Sequence, residues 1–132
     1  MIVLDASAAV AVFLNLGLGA SRIREWMAEE DDDLHVPHLF ELEILNVLRR
    51  YFLHGVLSRE RARLALGRLS TMSITRYPHT ALLPRIWELQ GNATPYDAAY
   101  IALAETLNAP LVTTDARLAR VPGIRASVEL FE

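Results

Sequence analysis

The feature that most constrains the fold is a repeated alternation of short apolar runs, rich in branched residues, with longer stretches of helical periodicity. Runs at Ile2 to Leu4, Leu34 to Val36, Met72 to Thr75, Leu111 to Thr113 and Val128 to Phe131 read as strands. Between them the spacing predicts helices at about 7–14, 20–30, 38–54, 58–70, 80–90 and 95–107, with a short one near 116–120. Strands that each hand over to a helix can pair in parallel only if the connections cross a sheet face. The pattern therefore predicts an α/β fold, a three-layer α/β/α arrangement around a mainly parallel five-stranded sheet. At 132 residues and 52% hydrophobic content, residues 1–132 are expected to form one domain.

Local punctuation agrees. Ser7 is placed to cap the first helix and Ser58 the fourth, and Gly55 follows the third. Thr94-Pro95-Tyr96-Asp97 sets an N-cap threonine, a proline at the first helical position and an acid at the third, a capping box with Asp in place of Glu. Pro84 fits a helix only within its first turn. The like-charged run from Glu29 to Asp33 reads as an acidic helix exit and loop. Trp26 and Trp87, single aromatics in amphipathic stretches, are expected to be buried.

Several chemistries are excluded by composition. With no cysteine there is no disulfide framework, thiolate metal site or cysteine nucleophile. The stretch from Ala6 to Ala20 is too short to span a bilayer, and Asp5 stands where a signal peptide would be basic. A cytoplasmic protein without membrane association is expected. Net charge of −3 argues against a general basic coat for nucleic acid, yet every cation is arginine, because the chain has no lysine. Clusters at Arg49–Arg50, at Arg59, Arg61, Arg63 and Arg68, and at Arg117 and Arg120 leave local basic patches open, beside the plainer reading of a solvated face.

In an open parallel sheet the working site lies at the carboxyl ends of the strands. Asp5 closes the first apolar run and Asp115 closes the fourth, so two strand ends aim carboxylates at one rim. Asp97, in the opening turn of its helix, comes near the same rim if that helix leads into the fourth strand by a right-handed crossover. In ELEILNVLRR, Glu43, Asn46 and Arg50 share one helical stripe, whereas Glu41 falls about half a turn away beside Leu45 and Leu48. Taken singly, each acid has a structural explanation as a cap, a helix-dipole partner or a solvated residue. Together they would repel and take up protons unless a cation joined them. Carboxylates without sulfur suit Mg²⁺ or Mn²⁺, and the matching reaction is phosphodiester hydrolysis. The four histidines, His35, His38, His54 and His79, are assigned no metal role.

The segments VLDASA, the E-x-x-N-x-L-R-R run from Glu43 to Arg50, YDAAYIALA around Asp97 and TTDARL around Asp115 together resemble PIN-domain ribonucleases, in particular the VapC toxins of toxin–antitoxin pairs. The resemblance runs nearly end to end, with four acids in order. It implies a magnesium-dependent endoribonuclease whose acidic quartet is Asp5, Glu43, Asp97 and Asp115, with Asp5, Asp97 and Asp115 holding the metal. It also implies that Ser7, Asn46 and Thr113 support the quartet, that Arg50 and Arg49 contact RNA phosphates, and that the chain forms a homodimer and is held inactive by an antitoxin protein. Two alternatives stand beside it: a free-standing PIN nuclease of RNA processing, and an inactive protein-binding module using apolar residues such as Tyr51, Phe52 and Leu53. A phosphatase with an aspartyl nucleophile would want an acid where Ser7 stands, and a phosphate-receiving signalling domain would want a lysine.

Overall fold

The computed structural model describes residues 1–30 and 33–132. Residues 31 and 32, the centre of the acidic run from Glu29 to Asp33, lie outside the described residues. Strands β1 (Ile2–Leu4), β2 (Leu34–Pro37), β3 (Ile74–Tyr77), β4 (Leu111–Thr113) and β5 (Val128–Leu130) form one sheet in the order β3-β2-β1-β4-β5. Every neighbouring pair is parallel, so the sheet expected to be mainly parallel is wholly so. The helices are α1 (Ala6–Leu14), α2 (Gly17–Glu30), α3 (Phe40–Leu53), α4 (Arg59–Thr71), α5 (Leu83–Glu88), α6 (Pro95–Leu107) and α7 (Ala116–Ala119).

β1 is the central strand, and its consecutive residues Ile2, Val3 and Leu4 are all buried. Because successive side chains alternate between faces, both faces must be covered. Helix α6 packs on β1, β2 and β4, with α5 against it. Its buried run from Ala98 to Ala104 includes four alanines, small enough for the helix to lie close to the strands. Helix α1 reaches β4 and is packed by α2, α3 and α4.

Three expectations change at the edges. The third strand lies at Ile74–Tyr77 rather than Met72 to Thr75, because α4 continues to Thr71 and pairing with β2 aligns Leu34 with Ile74 and Pro37 with Tyr77. As an edge strand it tolerates the exposed Thr75 and Arg76, so no apolar run marks it. The helix expected at 80–90 is a 3₁₀ turn, Thr80–Leu82, followed by the short α5, whose first turn holds Pro84. Trp87 on α5 is 72% exposed rather than buried, whereas Trp26 is half-buried and meets the Phe131 ring edge-on.

Three arginines satisfy the carboxyl end of α1. Arg24 Nη1 donates to Val12 O (3.3 Å), Arg68 Nη1 to Phe13 O (2.7 Å) and Arg61 Nη2 to Leu14 O (2.8 Å). A helix end leaves its last carbonyls without partners and carries partial negative charge, so cationic donors suit it on both counts. Two arginines of the α4 cluster are thus committed to the fold rather than to a solvated face. Among the described residues no single helix is long and apolar enough to cross a membrane.

Replacing Arg68 by alanine should cost about 1–3 kcal/mol in urea unfolding, the loss of a partly buried charge-assisted hydrogen bond. Arg63→Ala, which removes only the exposed Glu60 pair, should leave the urea midpoint unchanged.

Candidate active site

The apolar run of β1 ends on a carboxylate that is only 6% exposed. Asp5, not Ser7, caps α1. Its backbone is extended (φ −82°, ψ 167°), and its Oδ1 accepts from the Ala8 amide at 2.9 Å. Ser7, inside the first turn, instead donates to Asp5 Oδ1 at 2.7 Å. The second oxygen, Oδ2, accepts from the Thr113 hydroxyl at 2.6 Å. Thr113 Oγ1 also accepts from the Asp115 amide (2.9 Å), and Ser7 Oγ from the Thr114 amide (3.2 Å). Two hydroxyls therefore tie the end of β1 to the end of β4.

Around this knot, residues from four parts of the chain line one recess of about 260 Å³. Asp5 comes from the end of β1, Glu43 from α3, Asp97 from the first turn of α6 and Asp115 from the end of β4. Thr94 caps α6 by accepting from the Asp97 amide at 3.2 Å, which leaves the Asp97 side chain to the recess. Asn46 and Arg50 reach the same recess along the stripe of Glu43; Arg49 does not line it and is exposed. Ser7 lines it, and Thr113 lies buried behind it. An adjoining groove of about 420 Å³, lined largely by apolar side chains, shares Ser7, Val47 and Arg50 with the recess.

The sequence reading missed Tyr100 and Arg117. Tyr100 lines the recess from α6, one turn after Asp97. The signal was present in YDAAY, where the two residues stand three apart and so share a face. Arg117 engages Asp115, through its amide to Oδ1 (2.9 Å) and its Nη2 to Oδ2 (3.2 Å).

The electrostatics divide the four acids. Burial pushes Asp5 above its ordinary value despite the bonds from Thr113, Ala8 and Ser7. Burial likewise raises Glu43, aided by the charges of Asp97 and Asp5, and raises Asp97, aided by Asp115. Asp115 goes the other way: burial works to raise it, but the bonds from Arg117 outweigh that and hold it low. Tyr100 is driven far up by burial and by Glu43. Its hydroxyl and Glu43 Oε1 are buried and make no hydrogen bond of ordinary geometry to any described residue, yet the two side chains are close enough that each shifts the other, Tyr100 lowering Glu43 and Glu43 raising Tyr100.

Such a donor set fits a hard divalent cation: carboxylates with no sulfur, three of them strained towards protonation, and one buried oxygen unsatisfied. As the side chains stand, no three His, Cys, Asp or Glu residues among the described ones are close enough to share one ion. Binding would need carboxylate side chains to swing inward.

Parallel strands bearing two acids at their carboxyl rim, met by one acid from each of two helices, define a class. The chain belongs to the PIN-domain family, whose model matches residues 2–124. Within that family it stands with the VapC proteins. It is 48% identical over 118 residues to Ribonuclease VapC9 of Mycobacterium tuberculosis, covering 89% of this chain and 88% of that one. It is 40% identical over 129 residues to Ribonuclease VapC1 of the same organism, covering 97% and 96%. The fold also matches VapBC2 from Rickettsia felis, solved bound to a DNA fragment from its promoter, with a TM-score of 0.67 at 17% identity over 100% of both chains.

The raised carboxyls make a prediction about pH. A carboxyl whose folded value lies above its unfolded one binds protons more readily when folded, so its contribution is most favourable below the unfolded value and is lost as pH rises through the folded one. Asp97→Asn should therefore raise the urea midpoint at pH 7.5 in EDTA. The gain should shrink towards pH 3, below the ordinary Asp value of 3.8.

Proposed function

We propose that the chain is a divalent-metal-dependent endoribonuclease and the toxin of a VapBC-like toxin–antitoxin pair. The observation that carries the reading is the meeting of Asp5, Glu43, Asp97 and Asp115, delivered by four separate elements, around one recess at the carboxyl rim of the sheet. The likeness to VapC ribonucleases over most of the chain supports RNA as the substrate. An antitoxin partner is inferred from the same kinship.

In this reading Asp5, Asp97 and Asp115 hold Mg²⁺, with Mn²⁺ as a substitute. When bound, the ion lowers the pKa of a water and offsets charge developing on the phosphate. Ser7 and Thr113 fix both oxygens of Asp5, so one ligand is held in place before binding. Glu43, whose side chain lines the recess, positions the attacking water and takes its proton. The elevated proton affinity of Glu43 suits that task. Asn46 orients the water or the phosphate, and Arg50, at the junction with the apolar groove, contacts a phosphate of the RNA as it leaves the recess. Arg49, exposed on the same helix, is assigned a more distant phosphate.

Exposed Phe52, Leu53 and Val56, at the end of α3 and just beyond it, supply apolar surface for a second copy, and a homodimer is part of the proposal. The chain acts in the cytoplasm, as one domain over residues 1–132.

Cleavage of a structured RNA by the purified chain tests the chemistry. Mg²⁺ should support cleavage, EDTA should abolish it, and Asp5→Asn should lower the rate by about a hundredfold or more. Undiminished cleavage by a folded Asp5→Asn variant would overturn the proposal. Mg²⁺ should also raise the melting temperature, since only the folded chain gathers the ligands. Induced expression should arrest bacterial growth, and Asp5→Asn should relieve the arrest.

A further inference from the structure

Other arginines paired to carboxylates among the described residues have partners outside the recess: Arg85 with Glu105, Arg76 with Glu41, Arg63 with Glu60. Arg117 differs, because its partner belongs to the acid recess. Its amide and Nε both approach Asp115 Oδ1 (2.9 and 3.4 Å), and its Nη2 approaches Oδ2 (3.2 Å). Both oxygens of Asp115 are therefore engaged by Arg117.

The exposures say what kind of contact this is. Arg85 and Glu105 are 19% and 11% exposed at the side chain, a pair locked into the structure. The Arg117 side chain is 91% exposed against 27% for Asp115. An exposed pair is only weakly favourable and parts readily. The guanidinium also keeps unused N–H donors pointing to solvent, beside a recess whose ligand would be a phosphodiester.

Resting on the reading of the recess as a metal-dependent RNA site, we infer that Arg117 is an exchangeable counter-ion for Asp115. It holds the carboxylate while no divalent ion does, releases it when Asp115 is drawn to one, and then engages an RNA phosphate. The exchange follows from charge. A guanidinium and a divalent cation on one carboxylate repel, and an incoming phosphate offers the released fork a bidentate partner. The helix cap survives without the side chain, because it is made by the backbone amide of residue 117. Arg117 is thus a positioning residue for Asp115 and then a substrate contact.

Linked binding measurements on the full chain test this. Mn²⁺ affinity is read from the electron paramagnetic resonance signal of the free ion, and affinity for a single-stranded RNA from fluorescence anisotropy, in EDTA and in Ca²⁺ with the RNA checked for integrity. Arg117→Ala should tighten Mn²⁺ binding on the order of three- to tenfold. It should weaken RNA binding several-fold in Ca²⁺ but not in EDTA, and reduce the salt slope in Ca²⁺ by about 0.7. Arg117→Lys, which keeps the charge without the fork, should fall between. A purely structural role would weaken both ligands together. Unchanged or weaker Mn²⁺ binding in Arg117→Ala, or an equal RNA loss in EDTA, overturns the counter-ion role while leaving the metal site standing. If the wild-type chain binds no Mn²⁺ that Asp97→Asn diminishes, the metal site and the counter-ion role fall together.

Discussion

Everything at the rim hangs on the burial of one carboxylate. Placing Asp5 at the end of a fully covered strand removes its charge from water, an expense met only if each oxygen finds donors. Three groups supply them: the Ala8 amide and the Ser7 hydroxyl on one oxygen, the Thr113 hydroxyl on the other. Because Thr113 belongs to β4 and Ser7 to α1, the same bonds join two chain segments more than a hundred residues apart in sequence. The Asp5 amide adds a ladder bond to Val112 O at 3.1 Å. Losing the carboxylate's place would loosen the helix start, the strand ends and the recess at once.

The chain spends its positive charge sparingly and mostly away from the acids. Arg61, Arg68 and Arg24 close the end of α1, and Arg85 binds Glu105 and the Gly123 carbonyl beneath α6. What remains at the recess is Arg50 in its lining and Arg117 bonded to Asp115, against four carboxylates. Burial is the main reason three of the acids are pushed towards protonation, with repulsion among them adding to it, and only the one bonded to a guanidinium is held low. Electrostatic discord concentrated in one concave place, in a fold otherwise well satisfied, is the mark expected of a functional site.

Much of this was legible in the sequence. Asp5 and Asp115 announce themselves because an apolar run cannot end on a carboxylate without a reason, and Glu43 separates from Glu41 by helical phase. Glu41 indeed turns away, to Arg76 on β3. What escaped has two causes: partners remote in sequence, and element ends that a sequence places only to within a few residues. Ser7 has the composition of a cap, but the strand ends one residue early enough for Asp5 to take that position. The arginines of α4 look like a solvated face until α1 is seen to end beside them. β3 is an edge strand whose bounds are set by pairing with β2, not by its own residues. Trp87 is exposed because α5 is too short to bury two faces.

The four acids arrive differently, and the difference matters. Asp5 and Asp115 are fixed by strand ends and Asp97 by a capped helix start, so their positions follow from the sheet. Glu43 instead rides one turn into α3, on a stripe that continues through Val47 to Arg50 and into the apolar groove. Any polymer lying along that stripe passes from an acidic floor, past a guanidinium, onto an apolar wall within two helical turns. A small phosphate ester would use only the floor, whereas a nucleotide chain, with alternating charge and aromatic bases, matches the whole sequence of surfaces. The arrangement of α3 therefore favours an extended substrate over a compact one, independently of what the acids alone would accept.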